Sequence, residues 1–359
     1  MCGVGGVFNS INWSNIQVSE DDELEQELFA EIKAQTTKTK ALTTWNSSYI
    51  SNIKRFIKWC KERNPPREFM PASASTVALY LQFVAREAKS YSRVKSASGA
   101  IYTLHESALY PKEEIPTQAS PAHLVREAAK RKIGLRLSNQ KEPLSASLLN
   151  KAILLFISGK KVPLWKVMVA GMIKVMWMGF LRYKDAKFVW VELIHFYPTH
   201  MEFLLSERKN DVYREGDVVY IAREKNSPTC AVAFCERIIK EGKLKGAVNL
   251  FQGFCGHTAR WTPEKVKLNG KHMKYDQLLS QLHQVIGKAT SWPREKVREV
   301  FGTQSMRSGG ATVAAKKVPY ETWKRHGAWH SDTVPLRYVG QSTTDRLVTT
   351  IALANSHKD

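Results

Sequence analysis

Arg307 and Tyr338, within TQSMRSGGATVAAKKVPYETWKRHGAWHSDTVPLRYV (303–339), are the residue types that phosphate-ester chemistry by a tyrosine nucleophile needs. The arginine opens a small-residue helix, a Trp/His pair follows, and the tyrosine comes directly after another arginine. A phosphodiester attacked by a side chain passes through a five-coordinate phosphorane whose added negative charge must be met by fixed cations. Arginine suits this task because its planar fork binds two phosphate oxygens and never loses its charge. A second arginine, Arg182 in GFLRYKDA, lies like Arg307 at the edge of an apolar helical run, where a charge is costly without a task. For each arginine the alternative is a buried salt bridge. Asp185 is then either that partner or a carboxylate that orients the site.

Around Arg307 the small residues Gly309, Gly310, Ala311, Ala314 and Ala315 let a backbone come close, either a neighbouring helix or a phosphate chain. The helix start at Thr303–Ser305 adds its dipole toward an anion. No comparable metal pattern exists. Cys230, Cys235, Cys255 and His257 come nearest, but Cys230 and Cys235 are spaced i, i+5 in CAVAFC and share a helix face poorly, so they read as core thiols. Five cysteines, an odd and scattered set, fit a reducing compartment and no disulfide framework.

Lys+Arg 54 against Asp+Glu 33 leaves +21 on 359 residues, spread along the chain, which favours a polyanionic partner and nucleic acid first among them. The length suits two domains. After an acidic start at 9–35, the apolar residues Trp45, Tyr49, Ile53, Phe56, Ile57 and Cys60 predict a helix over 42–62, ended by Pro65 and Pro66. Further helices are predicted at 74–88, 91–109 and 120–132. Their basic edges make Lys54, Arg55, Lys58, Arg93, Lys95 and Arg131 candidate contacts to a polyanion; the plainer reading is a solvated face. A polar linker falls at 136–144. The apolar run 162–181 is interrupted by Lys166 and Lys174 and reads as a core helix within 163–181, not a membrane span. No secretory signal is expected at the amino terminus. Beyond it, strand-like character at Phe188, Trp190, 201–205 and 218–221, with a turn at 214–217, predicts one short antiparallel sheet. Helices are predicted at 145–158, 230–241, 272–287, 305–317 and 319–325. The expected domains are therefore an extension (1–35), a helical bundle (36–135), the linker (136–144) and a mainly helical carboxy-terminal domain with a small sheet (145–359).

Arg182, Arg307 and Tyr338 with their surroundings resemble the tyrosine recombinases (phage integrase family). The phrases GFLRYKDA, ERKNDVYREGD, RSGGATVAA and HGAWHSD-to-RY look like its eukaryotic mobile-element branch of Crypton type. The resemblance implies a SAM-like helical core-binding bundle followed by an α+β catalytic domain. Within it Arg182 and Arg307 match the two catalytic arginines, Lys209 the hairpin lysine, Trp329 the His/Trp position, Tyr338 the nucleophile and Asp185 the supporting acid. The family normally has His or Lys three residues before the second arginine, where this chain has Gln304. Glutamine donates a hydrogen bond but shuttles no proton near neutral pH, so slowed chemistry is expected unless His326 or His330 substitutes. An opening MCGVGGVF resembles class II glutamine amidotransferases at Cys2, and nothing downstream continues that likeness.

The resemblance implies a site-specific DNA recombinase acting on double-stranded DNA through a covalent 3′-phosphotyrosine, without metal or other cofactor. It also implies a homo-tetramer on DNA, a monomer when free, no membrane association and a nuclear location, or a cytoplasmic one in a prokaryotic host. The segment 343–355 is apolar enough to pack on a neighbouring protomer or on its own domain. A type IB topoisomerase shares the same chemistry, and a transposon-derived DNA-binding protein with impaired catalysis shares the same charge.

Overall fold

The computed structural model describes residues 18–19, 22–43, 47–108, 110–133, 141–205, 216–255, 267–336 and 338–339. Two compact units divide the chain, Met1–Asn139 and Gln140–Asp359.

The first unit is helical among its described residues: α1 (Glu23–Thr43), α2 (Ser47–Lys61), α3 (Ala74–Glu87), α4 (Tyr91–Ser107) and α5 (Ser120–Ile133). Helical periodicity in α2 turns Ile53, Phe56, Trp59 and Cys60 onto Val77, Tyr80, Leu81 and Val84 of α3 and Val94, Ala97, Ile101 and Leu104 of α4. Phe56 and Tyr80 meet with ring centroids 4.9 Å apart. Ser73 caps α3, its hydroxyl accepting the Thr76 N–H at 3.1 Å. One expectation fails: the acidic start is not outside the helices. Asp22 accepts the N–H groups of Leu24 (3.0 Å) and Glu25 (3.1 Å), and acidic residues in the first turn complement the dipole, so α1 begins at Glu23, while the helix expected over 42–62 is described at Ser47–Lys61.

The second unit holds α6 (Ala146–Phe156), α7 (Leu164–Met178), the single turn α8 (Tyr183–Ala186), β1 (Ile194–Phe196), β2 (His200–Leu205), β3 (Asp217–Ala222), α9 (Ala231–Gly242), β4 (Gln252–Cys255), β5 (Lys267–His272), α10 (Tyr275–Thr290), α11 (Arg294–Val300), α12 (Gln304–Ala315), α13 (Tyr320–His326) and the short α14 (Thr333–Leu336). Helix α7 runs through the middle of the core with almost every side chain buried. Its Lys174, 2% exposed, is held there by Asn150 Oδ1 (2.9 Å) and Glu224 Oε1 (3.1 Å). Among the described residues no helix is long and apolar enough to cross a membrane.

Strands β1, β2 and β3 form an antiparallel sheet in that order, with Met201 opposite Ile221 and Phe203 opposite Val219. The alternation buries Met201, Phe203, Leu205, Val219 and Ile221 on one face. A second antiparallel pair, β4 with β5, was not expected from the sequence. Its residues QGFC and KLNGKH carry little β-branched character, and a side chain such as Gln277, donating to the Phe254 carbonyl at 2.8 Å, helps hold it. Phe188 and Trp190 belong to no strand; Trp190 makes one isolated bridge to Asn249, and the third strand lies at Ile194–Phe196 instead.

Candidate active site

Helix α7 ends where Gly179 and then Phe180 (φ 48°) turn the chain, and that left-handed residue frees the Phe180 carbonyl to face inward. Two residues on, Arg182 precedes α8. The Arg182 N–H donates to Asp185 Oδ2 at 2.9 Å, so the carboxylate fixes the arginine's backbone. Asp185 is 1% exposed. The contact runs to the arginine's main chain.

Arg307 lies in the first turns of α12 and is 1% exposed. One terminal nitrogen donates to the Phe180 carbonyl and Nη2 donates to the Gly327 carbonyl at 2.9 Å. Its guanidinium carbon lies 4.3 Å from the Trp329 ring centroid and 4.9 Å from that of Tyr338. A buried guanidinium held by backbone oxygens and two aromatic faces is a cation fixed in place.

Glycine is required where α12 meets α7. A Cβ on Gly310 would fall 2.2 Å from the Trp177 carbonyl oxygen, and one on Gly309 2.1 Å from the Leu144 carbonyl oxygen. That oxygen accepts the Trp177 indole N–H at 2.9 Å. The small residues around Arg307 therefore serve helix packing, the first of the two readings of the RSGGA run.

The last described segment brings in the remaining parts. Trp329 and Tyr338 rings are 5.4 Å apart, and with Phe180, Ala311 and Trp323 they make a small cluster of their own. Arg182 Nη2 lies 3.4 Å from the Tyr338 hydroxyl across 156 positions of sequence. Arg182, Arg307, Trp329 and Tyr338 thus share one place.

The other expected residues fall as follows. Gln304 is exposed at the first turn of α12, while its carbonyl accepts the Ser308 hydroxyl at 3.0 Å. His326 is half-buried, with Nε2 2.7 Å from the Met178 carbonyl and its ring edge-on to Phe180, so it braces the end of α7. His330 is exposed. Lys209, Cys2, His257, the Cys255 side chain and the segment 343–355 lie outside the described residues. Tyr183, next to Arg182, donates to the Met273 carbonyl at 2.7 Å, and burial first, then Asp276, raises its hydroxyl above the ordinary tyrosine pKa. It is a buttress rather than a rival nucleophile. Among the described residues no three His, Cys, Asp or Glu side chains gather to hold a metal. Sequence reasoning missed the Phe180 and Gly327 carbonyls, because main-chain acceptors carry no side-chain signature.

In the first unit Lys54, Arg55 and Lys58 on α2, Arg93 and Lys95 on α4, and Arg131 on α5 are all exposed. Arg55, Lys58 and Arg93 rim a cleft of about 200 Å³ floored by Trp59, Tyr80 and Phe83.

No protein-family model matches the chain, and no curated protein does. Solved structures do. The XerH site-specific recombinase bound to palindromic difH substrate, in a post-cleavage complex, aligns with a TM-score of 0.54 at 12% identity over 98% of this chain and 95% of its own. The Tn1549 transposon integrase in complex with transposon right end DNA aligns with a TM-score of 0.53 at 12% identity over 89% of this chain and 97% of its own. The fold is that of the tyrosine recombinases. Mainly helical architecture with small antiparallel sheets, as expected from the sequence, is what these recombinase neighbours share with the chain.

Proposed function

We propose that the chain is a tyrosine-type site-specific DNA recombinase, and one observation carries this reading: two arginines from distant elements converge on Tyr338, Arg182 at its hydroxyl and Arg307 at the face of its ring. On a duplex, Tyr338 Oη attacks the scissile phosphorus, a Tyr–O–P bond forms and the P–O5′ bond breaks, leaving a 3′-phosphotyrosine. The phenol proton passes to solvent. The departing 5′ oxygen takes a proton from Lys209, and Arg182 and Arg307 hold the non-bridging oxygens while the phosphorane is charged. Attack by a 5′ hydroxyl reverses the step, so the bond energy is conserved and rejoining needs neither ATP nor metal.

Tyr338 covers the Arg307 guanidinium. A phosphate would take its place against the arginine as the tyrosine ring moves aside to attack. Trp329 then keeps one face of the guanidinium occupied and Gly327 one of its donors. Asp185 acts as a positioning residue for Arg182.

Both neighbouring structures are complexes with DNA, and the net charge of +21 supports the same partner for this chain. Lys54, Arg55, Lys58, Arg93, Lys95 and Arg131 would supply its sequence-independent affinity. Exchange between two duplexes cuts four strands, which calls for four copies in the synapse. The phrases around 178–222 and 302–340 support placement in the Crypton-type mobile-element branch, and with it a nuclear location.

A duplex carrying a nick just beyond the cleavage site tests the reading, because loss of the short 5′ fragment traps the covalent complex. Wild type is expected to give a DNA adduct that maps to Tyr338. Absence of any adduct across a random duplex library overturns the catalytic reading and leaves a DNA-binding protein.

A further inference from the structure

Helix α1 is an acidic element in a basic protein. Residues 20–33 carry Glu20, Asp21, Asp22, Glu23, Glu25, Glu27 and Glu31 against Lys33, so 1 − 7 = −6, in a chain whose total is +21. Its apolar side chains Leu24, Leu28 and Ile32 recur at i, i+4 and i+8, the spacing of one helix face, yet they are 63, 48 and 44% exposed. At 100° per residue, Glu27 and Glu31 border that stripe on one side and Glu25 on the other. The helix is well specified locally by its Asp22 cap, but helices in proteins owe most of their stability to packing of an apolar face, and this face is unpacked.

The same unit presents the complementary surface. The 200 Å³ cleft between α2, α3 and α4 has a floor of Trp59, Tyr80, Phe83 and Val84, and Phe83 remains 40% exposed. One turn before Phe83, Leu79 extends the apolar strip at 48% exposure. Arg55, Lys58, Arg63 and Arg93 stand around it with Glu62 and Glu87, a rim of 4 − 2 = +2. The pairs Lys58–Glu62 (3.6 Å) and Arg93–Glu87 (3.5 Å) join exposed side chains and are readily exchanged for new partners.

We infer that α1 of one copy of this chain docks in the aromatic cleft of a second copy, Leu24, Leu28 and Ile32 entering it and Glu25, Glu27 and Glu31 meeting Arg55, Lys58 and Arg93. The occupant is a second copy because each chain carries both the stripe and the cleft, opposite in charge, and leaves its own stripe in solvent. Three of the cations involved are among those proposed to meet DNA, so the assembly is one of DNA-free chains and departs from the free monomer that the family resemblance implies. It does not depend on the recombinase reading, which stands or falls on the Tyr338 adduct.

Sedimentation velocity of the full DNA-free chain between about 1 and 100 µM tests it. Wild type is expected to associate as concentration rises. Leu28→Asp, which removes the stripe, and Arg55→Glu with Arg93→Glu, which reverses the rim, are each expected to weaken association at least tenfold; all three positions are exposed, so the fold is spared. An equimolar mixture of the two variants is expected to form a heterodimer, since the intact cleft of one receives the intact helix of the other. A chain that stays monomeric throughout, an oligomer unaffected by either variant, or variants that fail to complement each other in the mixture would each overturn the inference.

Discussion

Gly327 and Trp329 are stacked so closely that a Cβ on the glycine would lie 1.9 Å from the indole Cζ3. The same glycine's carbonyl holds Arg307 Nη2 at 2.9 Å. One residue without a side chain therefore sets the position of both the arginine and the ring that covers it. Gly327→Ala must push the indole away or tilt the carbonyl. The expected result is a loss of about 1–3 kcal/mol in thermal or denaturant unfolding, with adduct formation on nicked duplex falling further than stability alone explains.

Tyr338→Phe removes the nucleophilic oxygen and keeps the ring that lies 4.9 Å from the Arg307 guanidinium. Stability should stay within ~0.5 kcal/mol of wild type, and duplex affinity should be unchanged, while covalent adduct disappears entirely. Tyr338→Ala should lose the adduct as well and in addition lower the melting temperature, because the cation–π contact goes with the ring. Equal melting temperatures for the two variants would show that the ring contributes nothing to holding Arg307.

Gln304 is exposed at the start of α12, three residues before Arg307, so its side chain can change without disturbing the core. If proton transfer limits the reaction, Gln304→His should speed single-turnover cleavage by roughly 10²-fold and introduce a dependence on pH near 6–7. An unchanged rate would indicate that the glutamine's hydrogen bond, or another group, already suffices.

His105 gives the first unit a pH dependence of known sign. Its Nε2 accepts the Ala72 N–H at 3.0 Å and its Nδ1 donates to the Ile101 carbonyl at 2.9 Å, so the folded ring is neutral, and burial holds its pKa below the ordinary value. The unfolded chain takes up a proton below about pH 6.5 that the folded chain refuses. Stability is thus fully present above that pH and is lost as pH falls through it toward the folded value. His105→Gln should cost stability at about pH 7.5 and visibly less at about pH 5.5, measured as the gap in urea midpoints between variant and wild type.

Much of this was legible in the chain itself. Periodic apolar residues in 47–61 and 164–178 announced their helices because burial on one face, or on all faces, leaves a pattern. Arg182, Arg307 and Tyr338 could be singled out because a charge at an apolar boundary is costly unless employed. Helix α1 was hidden, since a polar stretch with an unburied stripe resembles a tail and only its cap at Asp22 marks the start. The β4–β5 pair was hidden too, being built from residues without strand preference and held by side chains from elsewhere. Nor could the role of His326 be read: a histidine beside a tryptophan looks equally like a proton carrier, and only folding shows its ring against the Met178 carbonyl.

Helix α12 is seated against main-chain atoms, Gly310 lying against the Trp177 carbonyl of α7 and Gly309 against the Leu144 carbonyl just before α6. Bond lengths and angles, not side-chain bulk, consequently gauge the offset between the end of α7, shortly before Arg182, and the start of α12, which carries Arg307. Substitutions scattered through the interior can then raise or lower the melting point while the spacing of the two guanidinium groups stays calibrated. Retuning that spacing would take an insertion, or replacement of a glycine.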